Sequence, residues 1–199
     1  MKNSKRVSTT QTMIPIPPFD IVFESNQMFA LLHSELDFIL EKMGKAFKEQ
    51  RWRRIYIRSL FAFIESCAYR LKQDAMIFKK FPLKEVYILK EKRYHLNDKG
   101  EIVEENLHLK TLANLRFSFD VYARAWDINF KLDISDVRWE DLKKALKIRH
   151  RITHPKNLKD LVISNDEWLK VMHAEQWFYE ELSKLHHAVV IAQKEKTPK

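Results

Sequence analysis

Apolar side chains recur at three- and four-residue spacing through most of this 199-residue chain, a period that helices satisfy and strands do not. Phe29, Leu32, Leu36, Ile39, Met43 and Phe47 predict a helix over about 25–48, with Ser25 or Asn26 at its start. Leu60, Ile64, Cys67, Leu71, Ala75 and Phe78 predict a second over about 52–78, ended by Phe81-Pro82. Leu112, Leu115, Phe119, Tyr122 and Trp126 predict a third over about 109–126. A fourth opens near Ser135-Asp136, carries Trp139, Leu142, Ala145, Leu146 and Arg149 on one stripe, and ends at Thr153-His154-Pro155. The last starts at Ser164, where Glu167 three residues on completes a capping-box pattern. Its stripe is Trp168, Val171, Met172, Glu175, Phe178, Leu182, Leu185 and Val189.

Two segments break this period. Over 86–105 the turn signal Asn97-Asp98-Lys99-Gly100 separates Arg93-Tyr94-His95-Leu96 from Glu101-Ile102-Val103, which predicts a small hairpin. Ile128, Phe130, Leu132 and Ile134 alternate, which predicts an extended link packed on one face. The expected fold is all-α, a bundle of four to five helices with a hairpin-like insertion. Residues 1–18, closing on Ile14-Pro15-Ile16-Pro17-Pro18, read as a flexible tail, 19–193 as one domain and 194–199 as a charged tail. With only two glycines the chain has no Gly-rich phosphate loop, so no nucleotide cofactor bound that way is expected.

The single Cys67 excludes an internal disulfide and sits among apolar residues, so it reads as a core filler. There is no apolar leader and no run long enough to span a bilayer, so a cytoplasmic protein without a membrane partner is expected. The net charge of +9, from 36 Lys and Arg against 27 Asp and Glu, suits a polyanion such as nucleic acid, or an acidic protein.

One stretch carries chemistry: Ile148-Arg149-His150-Arg151-Ile152-Thr153-His154-Pro155, at the end of the fourth helix. RNA brings its own nucleophile, the 2′-hydroxyl. A histidine can take that proton or give one to the leaving oxygen, and an arginine can hold the phosphate by two parallel hydrogen bonds. No metal or other cofactor is required. On a straight helix Arg149 and His154 lie about 140° apart, whereas His150 and His154 share a face. Either Pro155 ends the helix early and redirects His154, or a two-fold dimer brings the two groups together. The plainer reading is a basic helix end favoured by the helix dipole.

The segment 146–155 resembles the signature of the HEPN superfamily: an arginine, a polar residue, then a histidine near a helix end, often with a proline. Asn is the commonest residue after that arginine in the superfamily, and this chain has His150. The resemblance implies an all-helical domain, a homodimer with the Arg/His groups of both protomers in one cleft, and metal-independent endoribonuclease activity of a bacterial toxin or antiviral defence system. It implies Arg149 as phosphate ligand, His154 as acid/base and His150 as the supporting polar residue, with products ending in 2′,3′-cyclic phosphate. A neutralising partner protein is possible for a toxin of this type. The alternative is a non-catalytic helical module that binds RNA or protein on the same fold. A third is a helical scaffold in which Arg149 pairs with an internal acid.

Arg51, Arg53, Arg54 and Arg58, interleaved with Trp52 and Tyr56, suit single-stranded RNA, as do Arg151 and Lys156 beside the motif. The competing reading is a solvated helix start with core aromatics. Glu65, seven residues after Arg58, can orient a catalytic group or close an ion pair. His173, His186 and His187 lack the carboxylate or cysteine partners of a metal site, so none is expected.

Overall fold

The structure, a computed structural model, describes residues 19–44 and 49–196. It is all-α with one small hairpin. The described helices are α1 (Phe19–Met43), α2 (Gln50–Phe78), α3 (Leu83–Leu89), α4 (Thr111–Ala125), α5 (Val137–Thr153) and α6 (Asn165–Lys196). Strands β1 (Lys92–Leu96) and β2 (Ile102–Asn106) form the hairpin between α3 and α4. The expected tail 1–18 and Phe47 lie outside the described residues.

The apolar stripes become the core. Leu36, Ile39 and Met43 of α1, Leu60, Ile64, Cys67, Leu71 and Ala75 of α2, and Leu115, Phe119 and Tyr122 of α4 are buried. So are Val171, Phe178, Leu182, Leu185 and Val189 of α6. Helix α2 is the axis of the bundle, packed against α1, α3, α4, α5 and α6. This explains why it is apolar well beyond one narrow stripe: Ile57, Phe61 and Phe63 are fully buried as well.

The sequence expectations for α1, for the segment before the hairpin and for the 128–134 link differ from the structure. α1 starts at Phe19, ahead of the Ser25 and Asn26 caps expected for it. There are six helices among the described residues, because α3 precedes the hairpin; at seven residues it is too short to show a period. It follows Pro82, whose carbonyl accepts from Glu85 N–H at 2.8 Å, and it buries Leu89 against Ala75, Val121 and Ala125. Last, Ile134 is exposed, while Ile128, Phe130 and Leu132 pack on the core as expected. The 128–134 link is tied down by Trp177, whose indole donates to Asp133 O at 3.1 Å, and by Glu181, which accepts from Asp133 N–H at 3.0 Å.

The expected hairpin forms, and its register sets Leu96 opposite Ile102 and Lys92 opposite Asn106. Asn97 Oδ1 accepts from the amides of Lys99 and Glu101, and Gly100 takes φ 77°, where a side chain would be strained. The root of the hairpin is pinned from inside. Lys72, fully buried on α2, donates to Glu91 Oε1 and to Asn114 Oδ1 at 2.7 Å. Burial pulls the Lys72 ammonium below its ordinary pKa, and Glu91 opposes that shift. Glu91 itself stands at φ 52°, the turn that carries the chain from α3 into β1.

The connector from α5 to α6 is irregular, with one 3₁₀ turn at Leu158–Leu161, and its carbonyls need donors from elsewhere. Arginines supply most of them. Arg53 donates to Ile163 O at 2.9 Å and Asn165 Oδ1 at 2.7 Å, Arg54 to Leu161 O at 2.9 Å, and Arg58 to Ile152 O. From α5, Arg151 donates to Val162 O at 3.0 Å and pairs with Glu167. Gln50 brackets Ile163, receiving its N–H at 2.6 Å and donating to its carbonyl at 3.0 Å. The capping box expected at the start of α6 forms, with Ser164 Oγ accepting from Glu167 N–H and Glu167 accepting from Ser164 N–H.

Replacing Arg53 with Met should leave buried acceptors short of a donor and cost about 2–4 kcal/mol of unfolding free energy in a urea titration. A cost near zero would show that Gln50 alone satisfies the Ile163 carbonyl. Ser164→Ala should cost about 1 kcal/mol by the same measurement.

Candidate functional site

Helix α5 places the motif. Asp136 caps its start by accepting from Arg138 N–H at 2.8 Å. Its buried seam is Trp139, Leu142, Ala145, Ile148 and Ile152, facing α2 and α6. Arg149 follows Ile148 by one step of about 100°, so it sits at the edge of that seam rather than on it. Leu146 and Arg149 are half-buried and His150 is exposed. The expected stripe through Arg149 is therefore corrected to one through Ile148 and Ile152.

At that edge lies an open cavity of about 620 Å³ between α2, α5 and the start of α4. Its polar walls are Arg149 and His150 from α5, Glu65 from α2, and Lys110 and Thr111 from α4. Leu109, Leu112, Ala113 and Leu146 are its apolar surface. Arg149 reaches Glu65 at 3.5 Å, a long contact between side chains 27% and 37% exposed, and Glu65 also accepts from Thr111 Oγ1 at 3.1 Å. A pair this exposed and this long is weak. It differs from the tight buried acid that a purely architectural arginine needs.

Helix α4 contributes what the motif does not. Its N-cap position is Lys110, which offers no side-chain cap, and its first turn contains no acid. The amides of Thr111, Leu112 and Ala113 thus have no partner within the helix, and the residues that bear them wall the same cavity. Sequence reasoning missed these residues. The signal was present as a helix start without Ser, Thr, Asp or Asn in the cap position.

His154 is the C-cap of α5. Its backbone has left helical geometry, at φ −124° and ψ 60°, and its amide donates to His150 O at 3.0 Å. The helix thus ends where Pro155 led one to expect. The His154 side chain is exposed and is not among the residues that wall the cavity, so a single chain brings Arg149 and His150 together but not His154. Thr153 between them donates its hydroxyl to Arg149 O.

The basic residues expected to meet nucleic acid divide into two groups. Arg53 is 2% exposed; Arg53, Arg54 and Arg151 direct their guanidinium groups at connector carbonyls, and exposed Arg58 donates to Ile152 O near the end of α5. Arg51 and Lys156 are exposed, Arg51 lying over the Trp52 ring at 5.2 Å. His173 pairs with Asp141 at 3.1 Å, and no group of three His, Cys, Asp or Glu side chains suited to a metal ion occurs among the described residues. Nor is any described helix long and apolar enough to cross a membrane.

No protein-family model, curated protein sequence or solved structure matches the chain. The cavity is accordingly read from its own chemistry: one arginine, one lysine, one histidine and free helix amides around a single carboxylate.

Glu65→Gln separates an architectural Arg149 from one held at a cleft. An exposed, long ion pair should be worth less than about 1 kcal/mol in thermal or urea unfolding. A loss of several kcal/mol would make the Arg149–Glu65 pair part of the scaffold.

Proposed function

We propose that the chain is a HEPN-like, metal-independent endoribonuclease in which Arg149 holds the scissile phosphate. The observation that carries this reading is the position of Arg149: at the edge of a core helix, in an open cavity, with only a weak carboxylate contact. The all-α bundle and the capped α6 that follows the motif support it. The start of α4 supports it too, because unpartnered amides at a helix N-terminus favour a phosphate.

In this reading Arg149 offers its planar fork to the phosphate oxygens, where the charge grows in the transition state. A neutral histidine takes the proton of the 2′-hydroxyl, the 2′-oxygen attacks phosphorus, and the bond to the 5′-oxygen breaks. A protonated histidine returns a proton to that oxygen. The products are a 2′,3′-cyclic phosphate and a 5′-hydroxyl. His154 is the proposed acid/base and His150 the polar support beside Arg149. Since His154 is not in the cavity wall of its own chain, the site is completed by a second copy related by a two-fold axis. The biological setting proposed with this activity is a bacterial toxin or antiviral system, with RNA as partner, Arg51 and Lys156 as further phosphate contacts, and a cytoplasmic location.

A second reading is a non-catalytic RNA- or protein-binding module. It is favoured by the separation of His154 from the Arg149 cavity and by the structural use of four of the arginines.

Incubating wild type and His154→Ala with total RNA and tRNA in EDTA tests the choice. Cleavage to cyclic-phosphate ends by wild type alone is the expected result. Equal products from both proteins would remove His154 from the chemistry, and bound but uncut RNA would favour the binding module. Arg149→Lys should bind RNA yet cut it at least about tenfold more slowly, because lysine has no bidentate fork.

A further inference from the structure

A second cavity, of about 290 Å³, continues from the first. The two share Glu65, Leu109 and Thr111 as walls, so they form one groove along α2. The first part presents cations and helix amides. The second presents Tyr69, Glu91, Asn114 and His108. It is small, polar and flanked by an aromatic ring that is 42% exposed.

Glu91 is unusually well fixed for a residue that opens onto a cavity. It stands at φ 52°, its carbonyl accepts from Leu107 N–H at 2.7 Å, and its Oε1 accepts from buried Lys72 and from Asn114 Nδ2 at 3.3 Å. The Lys72 ammonium lies directly against that carboxylate as its countercharge. None of these hydrogen bonds uses Oε2, on a side chain 32% exposed. Tyr69 lies one turn before Lys72 on α2, with the ammonium 6.0 Å from its ring centre.

We propose that this second cavity takes the base next to the phosphate held at Arg149, and that it selects guanine. The proposal rests on the ribonuclease reading for its phosphate, but the recognition is a property of the second cavity alone. A carboxylate has acceptors only. Guanine places two donors side by side, N1–H and the N2 amino group, and both can converge on Oε2, the oxygen that Lys72 and Asn114 leave open. Adenine and cytosine each place a ring acceptor beside their amino group, and uracil flanks its one donor with two carbonyls, so all three set a lone pair against the carboxylate. Tyr69 supplies the face on which the base stacks, the usual way a protein holds an unpaired base. Glu65, shared by both parts, stands between base and phosphate.

The test is binding of the 3′-monophosphates of guanosine, adenosine, cytidine and uridine to the intact protein, by calorimetry or by NMR titration. The guanosine nucleotide should bind at least about tenfold tighter than the other three, and Tyr69→Ala should weaken it by about tenfold. Glu91→Gln should abolish the preference for guanosine over adenosine while circular dichroism remains helical. If that variant unfolds through loss of the Lys72 contact, Tyr69→Ala decides. Equal affinity for all four nucleotides, or a guanosine affinity untouched by Tyr69→Ala, overturns the proposal. Guanosine selectivity without any RNA cleavage would sink the nuclease reading and leave the base pocket standing; cleavage at all four nucleotides with equal binding would do the reverse.

Discussion

The connector between α5 and α6 sets the terms for the rest of this molecule. Residues 154–164 leave the helix, turn once, and carry carbonyl groups that no ladder serves. Guanidinium groups serve them: Arg53, Arg54 and Arg58 from α2 and Arg151 from α5 each donate to one of those carbonyls or to the next residues. Where such a carbonyl is buried, as at Ile163, leaving it without a donor costs more than a hydrogen bond returns. The cluster fixes where α5 stops relative to α2, and hence where Arg149 and His150 stand.

A similar device further along α2 fixes the groove. Buried Lys72 holds Glu91 and Asn114, which joins the root of the hairpin to α4. The start of α4 is thereby set opposite the end of α5, with Glu65 between them. The site residues are few, and the elements that carry them are tied by hydrogen bonds from arginines and from buried Lys72. Positive charge in this protein does two separate tasks. Inside, it orders backbone and carboxylate oxygens; at the cavity it remains available.

That division explains how legible the sequence was. Periodicity located five helices because each buries a stripe of large side chains against α2 or α6. Asn97 and Gly100 marked the hairpin turn, and Ser164 with Glu167 marked the start of α6, because those residues act on their own neighbours. The burial of Arg53 was not legible for the opposite reason. Its partners, Ile163 and Asn165, lie 110 and 112 residues away, and no local pattern distinguishes an arginine that meets a carbonyl from one that meets a phosphate. The α4 amides and Tyr69 escaped notice similarly, since neither belongs to the Arg149–His154 segment.

The sequence by itself determined that the chain is helical, where most of its helices lie, where it turns, and that an arginine and two histidines gather at the end of one helix. Those facts follow from interactions within a few residues: side-chain period, caps, prolines and turn chemistry. The tertiary structure alone decided which cations are buried, that Arg149 opens onto a cavity with His150, Glu65 and the start of α4, and that His154 does not wall it. Those outcomes depend on the packing of α2 against elements far away in the chain, and packing is a property of the assembled surfaces rather than of any segment.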